Sequence, residues 1–443
     1  MLLKGGTVLT MHPASGELPK GDVLIDGSRI AAVGPDLAAT DAQVIDASNT
    51  IVMPGFVDTH RHLWEGVLRN ALPDGTLSDY LKTILGRFGP LCRPQDVHAG
   101  NLVSALGALD AGVTTVFDWS HIQNTPQHAD AAIQALRDSG IRAVFGYGGA
   151  QIAGKRWWND NSHSYPQDLR RLRSQYFASD DQLLTLALAA SGPNFGTEEV
   201  ALREWQIARE VGVRVSTHLG VGRASIGKLE PLGRAGALNI PATYIHCNFL
   251  SETEWKMIAD SGGTVSLSPL VEMYMGHGFP ATQAALEHGI KPSLSVDVET
   301  SLPGDFFTQM RTAMAVQRGL VFDRMARGET NVPPLLTSRQ VLEFATIEGA
   351  RTNGLSDKVG SLEPGKQADI ILLRTDRFNV MPINDPIGAV VQGMNPANVD
   401  TVIVAGNVLK RDGRLVGVDT ARVEAEVRAS QSYLLTRAGS QKG

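Results

Sequence analysis

Five side chains in this 443-residue chain are of the types that bind catalytic metal ions, and each ends a short apolar run. They are His60, His62, His218, His246 and Asp297. Imidazole nitrogens and carboxylate oxygens gathered at one end of a parallel barrel form a preassembled cation site. His60 and His62 are two residues apart, so one strand can present both on the same face. This donor set suits zinc, and also ferrous iron or manganese.

The chain contains 11 histidines, and a lone histidine is usually a structural or surface residue. That interpretation applies to those in predicted loops or helices, namely His12, His98, His128, His163 and His288. Four histidines and an aspartate that all end strands are not expected by chance. We therefore interpret the five strand-end residues as a metal site.

The elements that position these residues alternate along the middle of the chain. Apolar, β-rich runs are separated by segments of helical period, such as HADAAIQALRDSG and EEVALREWQIAREVG. The runs occupy residues 51–58, 113–119, 141–147, 183–190, 213–218, 242–247, 264–267 and 292–298. This pattern predicts an α/β fold, a (β/α)₈ TIM-like barrel. An open doubly wound sheet is the weaker alternative, since it would call for a Gly-rich phosphate-binding turn and the sequence offers none.

Both ends of the chain read as short strands joined by turns. The turns are expected at Asp26 and Gly27, at Gly406 and Asn407, and at Asp412 and Gly413. These segments predict a small composite β-sandwich built from the N- and C-terminal parts. The expected division is 1–53 and 357–417 for the sandwich, 54–356 for the barrel, and 418–443 for a terminal helix and tail.

Composition excludes several classes of protein. The formal net charge is −6, which gives no basic face for nucleic acid or an anionic membrane surface. The N-terminal segment has no long apolar stretch, so we expect neither a signal peptide nor a membrane anchor. The two cysteines, Cys92 and Cys247, are far apart and fit a reducing cytoplasm. We expect a cytoplasmic protein.

Four motifs occur in the order PGFVDTHRH, THLG, IHCNFLSE and SVDVE. Together they resemble the amidohydrolase superfamily, in its cytosine-deaminase and triazine-hydrolase branch. The segment ATIEGARTNGLSDKVGSLEPGKQADIILL resembles that branch's approach to its composite sandwich. The resemblance implies one divalent metal held by His60, His62, His218 and Asp297, with His246 beside it. It also implies a small-molecule substrate and a homo-oligomer, either a dimer or a tetramer.

The chemistry of these residues agrees with that assignment. A bound cation, zinc being the first expectation and Fe²⁺ or Mn²⁺ the alternatives, lowers the pKa of its water from about 15.7 toward about 7. The hydroxide would attack a C–N bond, Asp297 would take the proton, and His246 would hydrogen-bond to the developing charge. The end of the fourth run, LALAAS, carries no lysine to bridge a second metal. One metal is therefore expected.

The sequence departs from the branch at one position. Deaminases of this branch usually carry HxxE after the fifth strand, but here HLGV places Val221 at the position of the glutamate. A valine cannot transfer a proton to a leaving amine. Two carboxylates are candidate replacements, and either could instead be a structural loop acid. Glu299 lies two residues beyond Asp297, and Glu272 follows the seventh run.

Substrate contacts are expected from the loops at the barrel mouth. Aromatic and methionine side chains there predict a flat or apolar ligand, although packing of loops against the barrel would use the same residue types. The expected contacts are Trp64, His121, Trp157, Trp158, His246, Met273 and Phe306.

Several reactions remain open at this level. Hydrolytic deamination of a heterocycle is what the resemblance implies, and the absent glutamate weakens it. Hydrolysis of an amide or amidine, or the reverse cyclodehydration to a cyclic amidine, would use the same activation. A non-catalytic scaffold is a remote alternative, because such proteins typically lose metal ligands. A zinc deaminase of the nucleic-acid type is excluded, because it needs P-C-x-x-C.

Overall fold

The computed structural model describes residues 1–38, 40–151 and 165–440, and its strands form two sheets. The strands are β1 (Leu2–Leu9), β2 (Glu17–Asp26), β3 (Arg29–Gly34), β4 (Val44–Asp46), β5 (Thr50–Pro54), β6 (Phe56–Arg61), β7 (Val113–Ser120), β8 (Arg142–Tyr147), β9 (Leu184–Ala190), β10 (Arg214–Leu219), β11 (Ala242–His246), β12 (Thr264–Leu267), β13 (Ser293–Leu294), β14 (Ile370–Arg374), β15 (Val399–Val404), β16 (Asn407–Arg411) and β17 (Arg414–Leu415).

The eight strands β6 to β13 form a parallel sheet in sequence order, and its two edges meet. Asp297, just beyond β13, bridges Arg61 at the end of β6. The Thr59 hydroxyl donates to the carbonyl of Leu294 at 3.0 Å, also across this seam. The sheet thus closes on itself, which confirms the predicted (β/α)₈ barrel.

Helices follow the barrel strands and cover the outside of the barrel. They are α1 (Leu77–Tyr80), α2 (Pro94–Asp110), α3 (Pro126–Ser139), α4 (Leu169–Gln175), α5 (Gly192–Phe195), α6 (Glu198–Val211), α7 (Glu230–Arg234), α8 (Glu252–Asp260), α9 (Pro269–Tyr274), α10 (Thr282–Glu287), α11 (Phe306–Ala326), α12 (Ser338–Phe344), α13 (Ile347–Thr352), α14 (Pro386–Gly388) and α15 (Thr420–Ser440). Short 3₁₀ or π segments lie at Leu63–Leu68, Leu81–Phe88, Gly89–Leu91, Arg223–Ser225, Ala389–Gly393 and Pro396–Asn398.

The first predicted run, residues 51–58, is in fact two strands that belong to different sheets. The chain leaves β5 at Pro54 and enters β6 at Phe56, with Gly55 between them. A Cβ atom at Gly55 would lie 2.1 Å from the Thr114 hydroxyl, so only glycine fits this crossing point. Apolar character alone could not show the break, because both strands are fully buried.

The remaining nine strands form one mixed sheet that joins the two ends of the chain. β5 pairs antiparallel with β14, with Pro54 opposite Ile370 and Thr50 opposite Arg374. This sheet has its own buried apolar cluster, separate from that of the barrel. It is the predicted composite β-structure. The turn expected at Gly406 and Asn407 lies one residue earlier, because β16 already begins at Asn407.

The predicted terminal helix is α15, which packs against the barrel domain. Leu434 and Ala438 on α15 are buried, and the Arg87 guanidinium donates to the Ala438 carbonyl at 2.6 Å. Both cysteines, Cys92 and Cys247, are buried free thiols. Among the helices of the described ranges, none combines the length and apolar character that crossing a membrane requires.

Candidate active site

The first two candidate ligands stand at the carboxyl end of β6. His60 and His62 converge on one carboxylate oxygen of Asp297, with Nε2–Oδ1 distances of 3.0 and 3.3 Å. The backbone holds this arrangement, since the Asp297 amide donates to the His60 carbonyl and the His62 amide donates to the Asp297 carbonyl, both at 2.9 Å. The barrel seam therefore brings the predicted first and last ligands together.

A buried ion pair beneath these histidines fixes the end of β6. Arg61 Nε donates to Asp58 Oδ2 at 2.7 Å, and both side chains are buried. The other Asp58 oxygen accepts from the amides of His60 and Val296, each at 3.3 Å. Asp58 therefore ties the His-x-His segment to the strand that leads to Asp297. The DTHRH motif thus contains the ion pair of Asp58 and Arg61 as well as the candidate ligands His60 and His62.

Two of the predicted site residues adopt left-handed backbone conformations. The φ angles are 74° at His246, 58° at the following Cys247, and 71° at Asp297. Such conformations are uncommon for residues other than glycine and cost about 1–3 kcal/mol each. They occur where β11 ends and just beyond β13, and they turn the two side chains toward the common centre. Backbone strain of this kind clusters at functional sites.

The donor atoms of His60, His218, His246 and Asp297 all lie within 4.8 Å of one another. All four residues are buried. Within the described part of the chain, the Nδ1 atoms of His60 and His218 have no hydrogen-bond partner. Buried imidazole and carboxylate donors that converge on one centre fit a divalent metal ion.

His62 and His246 each have a fixed outer nitrogen. His62 Nδ1 donates to the carbonyl of Trp119 at 2.8 Å, and His246 Nδ1 donates to Glu272 Oε1 at 3.0 Å. Metal-binding histidines commonly have such an outer partner, which leaves Nε2 facing the metal. The four residues whose donor atoms lie within 4.8 Å of one another include His246, whereas the resemblance implied His62 as the fourth metal ligand. Both residues present Nε2 to the same centre.

The electrostatics keep His60, His218 and Asp297 in the states that a cation requires. Burial lowers the pKa of His60 to about 3 and holds that of His218 well below its usual value, so both imidazoles are neutral. Burial opposes ionisation of Asp297, but the interactions with the neighbouring histidines, including the hydrogen bonds of His60 and His62, outweigh it and hold the Asp297 pKa well below its ordinary value. Neutral histidines beside a carboxylate are the ligand states that bind a divalent ion.

A small cavity opens above this centre. Its apolar lining consists of Leu77, Leu81, Leu85, Phe195, Val221, Met275 and Val298. The polar lining consists of His62, Tyr80, His121, His218, His246, His277 and Asp297. Val221 faces the cavity, and Asp297 is the carboxylate of its described lining.

The two carboxylates considered as proton shuttles both lie outside this lining. Glu272 is buried behind His246, where it also accepts from the Ser268 amide at 2.8 Å. It orients His246. Glu299 accepts from Arg69 at 3.0 Å and from Arg61 at 3.4 Å, so it is held by arginines at the side of the barrel. This placement contradicts the expectation of a shuttle at Glu299.

The predicted substrate contacts differ in their placement. His121 lines the cavity, and Trp64 is buried behind it, with its indole nitrogen donating to His121 Nδ1 at 3.3 Å. Met273 is half-buried, and Met275 contributes to the lining in its place. Phe306 is wrong as a contact, because its ring is buried against that of Phe56, 5.6 Å between centroids. Trp157 and Trp158 lie outside the described residues.

Sequence reasoning missed three residues beside the cavity. Tyr80 donates to the fully buried Glu65 at 2.5 Å and approaches His121 Nε2 at 3.4 Å. Burial raises the pKa of Glu65 to about 8. His277 lines the cavity 4.8 Å from His246, ring centre to ring centre. Tyr80 ends the four-residue helix α1 and His277 lies in the loop after α9, so no strand periodicity could place them.

The comparison with known proteins identifies the family of this chain. Residues 51–409 match the profile of the Amidohydrolase family, well over half of the chain. The chain belongs to the amidohydrolase family. This confirms the resemblance inferred from the four motifs, and it confirms a hydrolase that acts on carbon–nitrogen bonds.

Curated relatives in the family match along nearly the whole chain. A 5'-deoxyadenosine deaminase of Methanosarcina mazei is 26% identical, with 99% of each chain covered. A 5-methylthioadenosine/S-adenosylhomocysteine deaminase of Moorella thermoacetica is 27% identical, covering 94% of this chain and 96% of the relative.

Solved structures agree in fold. An adenosine deaminase from Xanthomonas campestris with bound zinc superposes with a TM-score of 0.84 at 22% identity and 98% coverage of both chains. A mutant of an atrazine chlorohydrolase from Arthrobacter aurescens, complexed with zinc and atraton, has a TM-score of 0.83 at 25% identity, with 97% and 99% covered. Together with the buried donor cluster, the zinc complex of the atrazine chlorohydrolase mutant supports a divalent metal in this family member.

Proposed function

We propose that this chain hydrolytically removes the amino group of a small, flat nitrogen heterocycle, with one zinc ion at the centre described above. The observation that carries the proposal is the convergence of buried donors from His60, His218, His246 and Asp297 at the floor of a cavity. The curated relatives named above are deaminases, which supports the same reaction. The cavity's apolar wall and ring-shaped side chains suit an aromatic ring.

We assign the metal ligands as His60, His62, His218 and Asp297, with His246 facing the substrate. A divalent cation held by these residues would lower the pKa of a bound water toward about 7 and so would supply a nucleophile at neutral pH. Imidazole and carboxylate donors suit zinc, and Fe²⁺ or Mn²⁺ would fit the same residues.

Asp297 is placed to accept the proton of the attacking water. Its carboxylate is ionised, and its Oδ2 atom lies 3.7 Å from His246 Nε2. A proton can therefore pass between the two residues with little movement. Because Glu272 accepts the Nδ1 hydrogen of His246, a proton on Nε2 would give an imidazolium stabilised by the Glu272 charge. Such a His246 donates a hydrogen bond toward the developing negative charge.

A second candidate is hydrolysis of a cyclic amide or amidine, or its reverse. Val221 favours it, because it lines the cavity where the resemblance places a glutamate that assists a leaving amine. A reaction in which the amine stays attached to the ring-opened product depends less on that group.

The test begins with protein purified without chelator or a nickel column. We expect about one zinc, iron or manganese per chain by elemental analysis. We then expect ammonia release from at least one of 5'-deoxyadenosine, adenosine and melamine, and none from the Asp297→Asn variant. Metal-loaded protein that releases no ammonia, but opens cyclic amides or amidines, would replace the first proposal with the second.

A further inference from the structure

The cavity contains one histidine whose role the arrangement of ligands does not explain. His277 is 4% exposed, and neither of its ring nitrogens has a hydrogen-bond partner among the described residues. An unsatisfied buried polar group costs about 1–3 kcal/mol, and packing alone would be better served by an apolar side chain. The ring faces the cavity beside His246. These observations indicate that a ligand bound in the cavity supplies the hydrogen-bond partner of His277.

The backbone around His277 is built to present the ring. The amides of His277 and Gly278 both donate to the Glu272 carbonyl, at 2.7 and 3.2 Å. The flanking Gly276 and Gly278 have φ angles of 81° and 133°, which residues with a side chain rarely adopt. The turn therefore requires glycine on both sides of His277. Glu272 thus positions two cavity histidines, His246 through its carboxylate and His277 through its backbone.

Val221 bears on the role of His277, because it stands where the resemblance expects a glutamate. Val221 lines the same cavity, and its amide donates to the Asn194 side chain at 3.1 Å, so its placement is also fixed. The site thus presents an apolar group where the resemblance expects a glutamate, and a polar group with unused donor and acceptor capacity at His277.

We propose that His277 hydrogen-bonds to the amino group that leaves the substrate, the contact that the absent glutamate would otherwise make. This inference rests on the proposed deamination. An amino group on an aromatic ring mainly donates hydrogen bonds, but its nitrogen becomes an acceptor once the ring carbon turns tetrahedral. With the N–H of the neutral imidazole toward the substrate, His277 can donate to this nitrogen only once the tetrahedral state has formed. The contact strengthens as the reaction proceeds, and its loss should lower kcat more than it raises KM.

The experiment compares two substitutions at His277 with a matched control. His277→Phe keeps a ring without nitrogens, and His277→Asn keeps a donor and an acceptor. The control is His288→Phe, because His288 is half-buried at the end of α10 and bonds to Glu252 and the Ala284 carbonyl, away from the cavity. Each protein is loaded with zinc, and zinc per chain and the thermal midpoint are measured first. Ammonia release and equilibrium binding are then measured with 5'-deoxyadenosine and melamine.

We expect His277→Phe to keep its zinc and its fold and to lose about 10²–10³-fold in kcat with KM nearly unchanged. His277→Asn should recover part of that loss, and His288→Phe should match the wild type. Unchanged kcat in His277→Phe, a loss confined to KM, or a loss that parallels loss of zinc would each overturn this inference alone. Wild-type protein that deaminates none of 5'-deoxyadenosine, adenosine and melamine would overturn the proposed function, and this inference with it.

Discussion

Replacing Glu299 with glutamine should destabilise the fold, because the carboxylate links two arginines and a serine across the barrel seam. It accepts from Arg69 Nη2 at 3.0 and 3.2 Å, from Arg61 Nη1 at 3.4 Å, and from the Ser104 hydroxyl. Arg69 is about one-third exposed, so solvent limits its share to about 1 kcal/mol or less. Hydrogen bonds of the buried Arg61 and Ser104 to a charge contribute about 1.5–3 kcal/mol each. Glutamine keeps one acceptor oxygen, so we expect a net loss of about 2–3 kcal/mol.

The assay is thermal denaturation of metal-loaded protein. We expect the midpoint of Glu299→Gln to fall by roughly 2–3 °C, with the metal content unchanged. The control is Glu424→Gln, since Glu424 pairs with Arg428 on the exposed face of α15 and should contribute less than about 0.5 kcal/mol. An unchanged midpoint combined with loss of turnover would refute this reasoning and return Glu299 to the chemistry.

Three further outcomes are expected. His62→Ala should reduce the metal from about one per chain to near zero, whereas His246→Ala should retain most of it; elemental analysis showing the opposite would exchange their roles. Glu272→Gln should keep the hydrogen bond to His246 without its charge and lower kcat about 10–100-fold with metal retained, as measured by ammonia release; full activity would contradict the positioning role. Burial raises the pKa of Asp118 from 3.8 to about 7, so between about pH 4 and 7 the folded state binds more protons than the unfolded state. The free energy of unfolding should therefore fall as the pH rises through this range. Denaturation midpoints of Asp118→Asn, which can still accept from Asn101, should lack this fall; an equal slope in both proteins would exclude Asp118 as its source.

The barrel and the strand-end site residues could be predicted because parallel strands impose a simple rule. Every strand of such a barrel ends at the same face, so residues at the ends of different runs must meet. His60, His218, His246 and Asp297 needed only that rule and the order of the runs. The composite sheet was predictable for a similar reason, since alternating apolar residues and turn signals specify strands locally.

Glu299 shows where the rule stops. The expectation assumed that two residues beyond Asp297 the side chain faces the same way, as in an extended strand. β13 is only two residues long, and the left-handed backbone at Asp297 breaks the alternation. Glu299 therefore reaches Ser104 on α2. Phe306 failed for a related reason, because it begins α11 and packs its ring into the core, and no strand phase applies to it.

The energetic penalties that the sequence could not reveal are concentrated at the candidate active site. Left-handed backbone at His246, Cys247 and Asp297 costs about 1–3 kcal/mol per residue. The unpaired nitrogens of His60 and His277, judged within the described residues, add to this cost. A packing core has no reason to retain both kinds of penalty. A bound cation would hold the strained His246 and Asp297 in place and a bound substrate would pair with His277, so the features that cost stability are those that a ligand-bound state requires.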